Sequence, residues 1–246
     1  ISPHLESIEE RFNVANKYVT KKKLYNTLKY VEFVNNKDSI TFFEITTAAA
    51  FYLFSKSKAD FLILETGLGG RLDATNVIRD SMIDIITPIS YDHQEYLGNT
   101  LKQITNEKMG IIKKSSSIVV GKQKNEILNY ISKKLKKYNN KKIIFGRDYK
   151  ISNIRNKNFS ITLKKRSLNF NKPLLLGEHQ IENAALAIIA SYEITRNNYK
   201  LKKNLINKAL IKTFWPGRLE KIKIKNLTFL LDGAHNVAGA QQMANF

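Results

Sequence analysis

Four short apolar runs punctuate the chain: DFLILE at 60–65, IDIITPI at 83–89, SIVVG at 117–121 and KIIFG at 142–146. Between and before them lie stretches with helical spacing of apolar residues, at 22–34, 42–55, 100–113 and 125–138. A continuous apolar run of four to six residues is the pattern of a strand buried on both faces. Such strands alternating with helices predict an α/β fold, with a mostly parallel sheet and helices on both faces. Ligands of such sheets bind beyond the carboxyl ends of the strands, so the residues that close each run are the first candidates for chemistry.

From 149 to 176 the pattern changes to period two, which predicts an antiparallel appendage. Residues 180–196, QIENAALAIIASYEITR, read as a helix apolar around most of its circumference and therefore deeply buried. A further helix at 201–212 runs into Trp215, Pro216, Gly217 and Arg218, where regular structure must break. Beyond it LTFLLD at 227–232 reads as a strand closed by a carboxylate, followed by GAHN and a new helix, the opening of a second, Rossmann-like α/β domain. The expected division is therefore 1–216 and 217–246.

There is no cysteine, which excludes disulfides, zinc–thiolate sites and a cysteine nucleophile. No run approaches the roughly 18 apolar residues of a membrane span, and a cytoplasmic location is expected. The net charge of +20 comes from 33 Lys and 8 Arg set against 21 acidic residues. The lysines are scattered among Asn and Ile, so a solvated basic surface is the favoured reading, with a nucleic-acid or other anionic-surface binding face as the alternative.

The stretch LETGLGGRLDATN, 64–76, carries the densest group of polar candidates. It is not a Walker A loop, which needs GxxxxGK followed by Ser or Thr, and it does not match GxGxxG in register. Its glycines fit a tight turn requiring positive φ. Glu65 closes the preceding apolar run, where an unpaired carboxylate would be costly to desolvate and a metal ion is one efficient partner. Asp92 and His93 stand a few residues past the next run, and Lys108 lies in the helix behind them. Taken alone, a single His is more often a structural hydrogen-bonding residue than a ligand.

In order, ETGLGGRLDATN, SYDHQEYLG, EKMGI, WPGR and DGAHN resemble the folylpolyglutamate synthase and dihydrofolate synthase family of the Mur ligase superfamily, and SPHL at 2–5 and TFFE at 41–44 fit the same family. The resemblance implies a P-loop NTPase-like central domain and an ATP- and Mg2+-dependent ligase. Such an enzyme phosphorylates a dihydropteroate or folate carboxylate and lets the amine of L-glutamate attack the acyl phosphate. It implies Glu65 and His93 as magnesium ligands and Lys108 as a lysine whose carbamylation supports a second metal. Asn183, Arg218 and Asp232 would contact the nucleotide, with Arg218 on the phosphates and Asp232 on the ribose, and His235 would approach the phosphates. Phe42, Phe43, Glu44, Arg71, Asp73 and Asn76 would serve the pterin, folate and glutamate side.

The resemblance also implies a P-loop before residue 2 and most of a second domain after residue 246. The chain is accordingly expected to be a fragment, a monomer acting on small molecules without nucleic-acid or membrane partners, and to turn over little by itself. A Mur ligase acting on another substrate is the alternative within the superfamily.

Overall fold

The computed structural model describes residues 4–15, 17–152, 157–164, 166–196 and 201–246. Of SPHL at 2–5, Ser2 and Pro3 lie outside them. The chain forms two compact units, Ile1–Arg79 and Asp80–Phe246.

The first unit opens with a 3-10 helix, Ile8–Arg11, and a small antiparallel pair, β1 (Asn13–Val14) with β2 (Lys17–Tyr18). Two helices follow, α1 (Lys21–Asn35) and α2 (Phe42–Ser55). Both start at a threonine. Thr20 accepts from the Lys23 amide, and Thr41 and Glu44 form a reciprocal capping box that fixes the first turn of α2. The helices close over a core of Phe12, Val19, Leu24, Ala49 and Leu53.

The expectation of a buried strand at 60–65 is corrected. The segment has no ladder partner among the described residues, and Phe61, Leu62, Ile63 and Leu64 are all exposed, Ile63 at 91%. Apolarity marks a run that can be buried; it does not supply the neighbouring strand that would bury it. The following turn contains one further 3-10 helix, Ala74–Val77.

In the second unit three strands, β3 (Ile83–Ile86), β4 (Ser117–Val120) and β5 (Lys142–Ile144), make a parallel sheet in sequential order. The connections carry α3 (Gln94–Leu97) and α4 (Leu101–Met109) after β3, and α5 (Asn125–Leu135) after β4. The α4 helix stops at Met109, short of the expected 113. Alternation along β4 assigns each face. Ile118 and Val120 join Ile104, Ile127 and Ile131 in one core, and Val119 joins Ala185, Ile188 and Ile189 in the other.

The predicted antiparallel appendage is present as β6 (Tyr149–Ser152), β7 (Asn158–Leu163) and β8 (Arg166–Asn171). Helix α6 (Glu178–Thr195) shares one core with both sheets, touching the cluster of Val119 and Ile143 and that of Phe159, Ile161 and Phe170. The α7 helix (Lys203–Lys212) adds Ile206 and Leu210 to it. The chain then makes an antiparallel ribbon, β9 (Glu220–Ile224) with β10 (Leu227–Leu231), and ends in α8 (Val237–Ala244). The expected strand and helix of the 217–246 segment are there. The β9 strand, EKIKI, was hidden by its lysines. No helix among the described residues is long and apolar enough to cross a membrane.

One buried carboxylate secures the amino ends of the parallel strands. Asp84 accepts from the Ser81 hydroxyl at 2.6 Å, the Lys113 amide at 2.8 Å and the Ser116 hydroxyl. Asp84→Ala would strand these donors in a buried site, so a loss of about 2–4 kcal/mol of unfolding free energy is expected in chemical denaturation. A variant as stable as the parent would contradict this role.

Candidate functional site

In the first unit the candidate residues gather at the turn after residue 64. Gly69 has φ of 65°, the conformation expected of a turn glycine. Gly67 serves differently: an added Cβ would lie 2.3 Å from the Phe43 ring, so the glycine lets the chain pass close beneath it. Asp73 is 8% exposed and accepts from the amides of Leu68 and Thr75, at 2.8 and 2.9 Å. Asn76 donates to the Arg71 carbonyl at 3.1 Å. Asp73 and Asn76 thus build the turn, while Arg71 is exposed on it.

A cavity beside this turn is lined by Phe43, Phe51, Phe54, Arg11, Glu65 and Thr75, among others. Glu65 reaches it as an exposed carboxylate. Phe42 is 58% exposed under the Arg11 guanidinium, 5.3 Å from the ring centre. The exposed Glu44 carboxylate accepts from the Thr41 amide and hydroxyl through Oε2, which holds its pKa below the usual range and caps the helix with one of its two oxygens.

In the second unit, Asn183, Arg218, Asp232 and His235 line one cavity of about 300 Å³. Two signals in the fold put them there. Asn183 is on an exposed side of the otherwise buried α6, one turn from its start. Asp232 follows β10 and folds its carboxylate back onto the backbone, accepting from Leu219 and Ala234 amides at 2.8 Å each. This holds Arg218, next to Leu219, at the cavity rim.

Two further lining residues, His179 and Gln180, were not singled out by sequence reasoning. Gln180 accepts from Asn183 Nδ2 at 3.2 Å, and its own Nε2 contacts His179 Nε2 at 3.2 Å. His179 Nδ1 is buried with no hydrogen-bond partner among the described residues. Burial lowers the His179 pKa against the opposing pull of Asp232 and Glu182. The signal for this residue was its place in the helix-opening GEHQ, which alone distinguishes nothing.

Past the carboxyl end of β3, Gln123 grips the chain on both sides of Pro88. It donates to the Thr87 carbonyl and accepts from the Ile89 amide, both at 2.9 Å. The exit so fixed delivers Asp92 and His93. His93 itself is left-handed, φ 48° and ψ 42°, a conformation that costs energy for a non-glycine residue. Asp92 accepts from the His93 amide and from Asn236 Nδ2, both at 3.1 Å, and its Oδ2 lies 3.9 Å from His93 Nε2 and 4.0 Å from His235 Nε2. Burial lowers the pKa of half-buried Lys108, and the negative charge of Asp92 opposes that shift.

The donor set fits a magnesium ion in part. Magnesium takes one or two carboxylates and completes its shell with water and phosphate oxygens. The exposed Glu65 carboxylate suits that demand, and the His93 imidazole is a less usual donor to a hard cation. Among the described residues no group of three or more His, Cys, Asp or Glu side chains is arranged to hold a metal.

Residues 11–191 match the Mur ligase middle domain. The chain is 33% identical to the dihydrofolate synthase/folylpolyglutamate synthase of Bacillus subtilis, covering 99% of the chain and 59% of that protein. It is 30% identical to the dihydrofolate synthetase of Saccharomyces cerevisiae, over 100% of the chain and 59% of the relative. It therefore spans about three fifths of the length of these curated relatives. Among solved structures, an FPGS-AMPPCP-folate complex superposes with a TM-score of 0.88 at 26% identity, over 100% of this chain and 63% of that one. E. coli FolC in complex with DHPP and ADP gives 0.87 at 26% identity, over 100% and 56%.

The lowered pKa of Lys108 has a measurable sign. Between the folded value and the free-lysine value of about 10.4, the unfolded chain holds more protons at this position, so Lys108 makes the fold more stable as pH rises through that window. Competitive acylation with a limiting amine reagent, read by peptide mass, should place the labelling midpoint of Lys108 below the free-lysine value. A midpoint at or above it would contradict the geometry.

Proposed function

The chain belongs to the Mur ligase middle-domain family, together with folylpolyglutamate and dihydrofolate synthases, and on that basis we propose that it is the central part of an ATP-dependent ligase. The reaction joins L-glutamate to dihydropteroate or to a folate, with or without glutamates already attached. The observation that carries the reading is the meeting of Asn183, Arg218, Asp232 and His235 in one cavity, although they come from elements as much as 52 residues apart in sequence. The neighbouring structures are complexes with AMPPCP or ADP, which supports nucleotide binding as the general reading.

In the proposed chemistry an acceptor carboxylate oxygen attacks the γ-phosphorus of ATP, the bond to ADP breaks, and an acyl phosphate forms. The glutamate amine attacks the acyl carbon, loses a proton and expels phosphate. Each protein group answers one demand of that sequence. Asn183 offers an amide to the nucleotide, Asp232 a carboxylate toward the ribose, and Arg218 a fixed cation to the phosphates, where charge builds in the transition state. His235 donates through Nδ1 to the Gly233 carbonyl at 2.9 Å, and its Nε2, 4.0 Å from Asp92 Oδ2, would donate to a phosphate oxygen in the imidazolium form.

Glu65 in the first unit and, separately, His93 in the second are proposed as magnesium ligands. Bound magnesium would supply neutralisation of phosphate charge. The depressed pKa of Lys108 enlarges the neutral amine fraction, the form that adds to carbon dioxide to give a carbamate. Such an anion is the proposed support of a second cation. On the acceptor side, Phe43 and its aromatic neighbours offer a stacking surface for a pterin, and Phe42 and Arg71 are proposed as further contacts of the substrate. Glu44, Asp73 and Asn76 are assigned to holding that wall in shape.

The proposal includes a domain boundary near residue 216, at the Trp215–Arg218 turn, and a cytoplasmic, monomeric enzyme of small-molecule substrates.

The test is amide formation by the protein as its gene encodes it, with ATP, magnesium, L-glutamate and either dihydropteroate or a reduced folate. ADP release should require both acceptor and glutamate. Arg218→Ala should lower kcat/KM for ATP by about 100-fold, in line with loss of a transition-state cation, and Glu65→Gln should raise the magnesium concentration needed for half-maximal rate. ADP release indifferent to acceptor, or an Arg218→Ala variant of unchanged kcat/KM, would sink the proposal.

A further inference from the structure

The hydrogen bond from Asn236 to Asp92 joins residues 144 positions apart and belongs to no helix or strand ladder. Both ends of the Asn236 amide are engaged. Oδ1 accepts from the Gly239 amide at 2.8 Å and so caps α8, and Nδ2 donates to Asp92 Oδ2 at 3.1 Å. Asp92 is likewise engaged on both sides, with Oδ1 accepting from the amide of left-handed His93. The result is one continuous path from the exit of β3 through two side chains to the first turn of α8. His235, next to Asn236 in sequence, has its Nε2 4.0 Å from Asp92 Oδ2, at the middle of that path.

We propose that Asp92 and Asn236 are a clasp of two positioning residues, which holds the 232–236 loop on the 90–93 turn and thereby sets where His235 stands relative to the nucleotide cavity. Neither residue is asked to touch the substrate. This inference rests on the nucleotide reading of the cavity. Two physical points favour a positioning role over ordinary surface bonding. The pair is partly buried, with the Asp92 side chain 31% exposed, so the interaction is less diluted by water than a surface contact. The amide also spends one end on capping α8 and the other on Asp92, so protein contacts fix the direction of both ends.

The clasp makes an exchange experiment possible. In Asn236→Asp the carboxylate still caps α8, since Asp is as good an N-cap as Asn, but it faces the Asp92 carboxylate. In Asp92→Asn the turn can still accept from the His93 amide. Combining Asp92→Asn with Asn236→Asp restores every hydrogen bond with donor and acceptor interchanged. AMPPCP affinity by calorimetry and the thermal unfolding midpoint are measured on all four proteins, each as its gene encodes it.

The expected result is a loss of affinity of about tenfold in Asn236→Asp and recovery to within about threefold of the parent in the exchanged protein. A neutral Asn236→Asp, or an exchanged protein as weak as the two single effects multiplied, would overturn the clasp. If the unsubstituted protein binds no AMPPCP, the nucleotide reading fails by itself. The clasp is then decided by the midpoints, which must fall in Asn236→Asp and recover on exchange; a midpoint that does not recover would overturn it.

Discussion

The burial of α6 on nearly all sides is the constraint from which the second unit takes its form. A helix whose Ala184, Ala185, Ile188 and Ile189 are all buried cannot end at a sheet's surface, because its far side would remain wet. It needs a second layer, and the antiparallel strands β6 to β8 supply one with Phe159, Ile161 and Phe170. Each buried apolar side chain of this size contributes about 1.5–3 kcal/mol, so the shared core outweighs any single polar contact in the unit. The same arrangement leaves the amino-terminal turns of α6 at the edge, and these turns carry His179, Gln180 and Asn183 into the cavity. Packing has decided where the candidate nucleotide contacts stand.

Carboxylates then divide into two kinds by what they hold. Asp73, Asp84 and Asp232 spend their oxygens on backbone amides and hydroxyls, Asp73 within its own turn and Asp84 and Asp232 on segments distant in sequence as well. Glu65 is exposed at the wall of a cavity. The first kind keeps loops rigid, as Asp73 does for the turn that follows Glu65, which is how sites built on loops achieve geometry. Asp232 belongs to both groups in the proposed function. Its two amide bonds use one lone pair on each oxygen and leave others for a ribose hydroxyl.

Much of this was readable from residue order, and the misses have identifiable causes. The start of α2 follows from Thr41 and Glu44, because a capping box is a local chemical signal. The parallel strands follow from runs such as SIVV, whose partners are nearby in the fold. The run at 60–65 has the same composition and no ladder among the described residues, since a strand is defined by a neighbour that periodicity cannot see. In β9 the alternating lysines obscured a strand whose antiparallel partner makes it legible only in pairs. Asn183, Arg218, Asp232 and His235 were singled out through a resemblance, and their convergence is a property of the fold. Asp92 and Asn236 lay in noticed motifs, yet their link spans a sequence distance over which no motif speaks.

The central chemical claim is that the acceptor carboxylate is activated as an acyl phosphate. It is tested most directly with acceptor whose reacting carboxylate carries oxygen-18. Transfer of that oxygen to phosphorus in the first step, and its departure with phosphate in the second, predicts one labelled oxygen in each released phosphate and one retained in the amide. Unlabelled phosphate, or label appearing in AMP instead, would contradict the account.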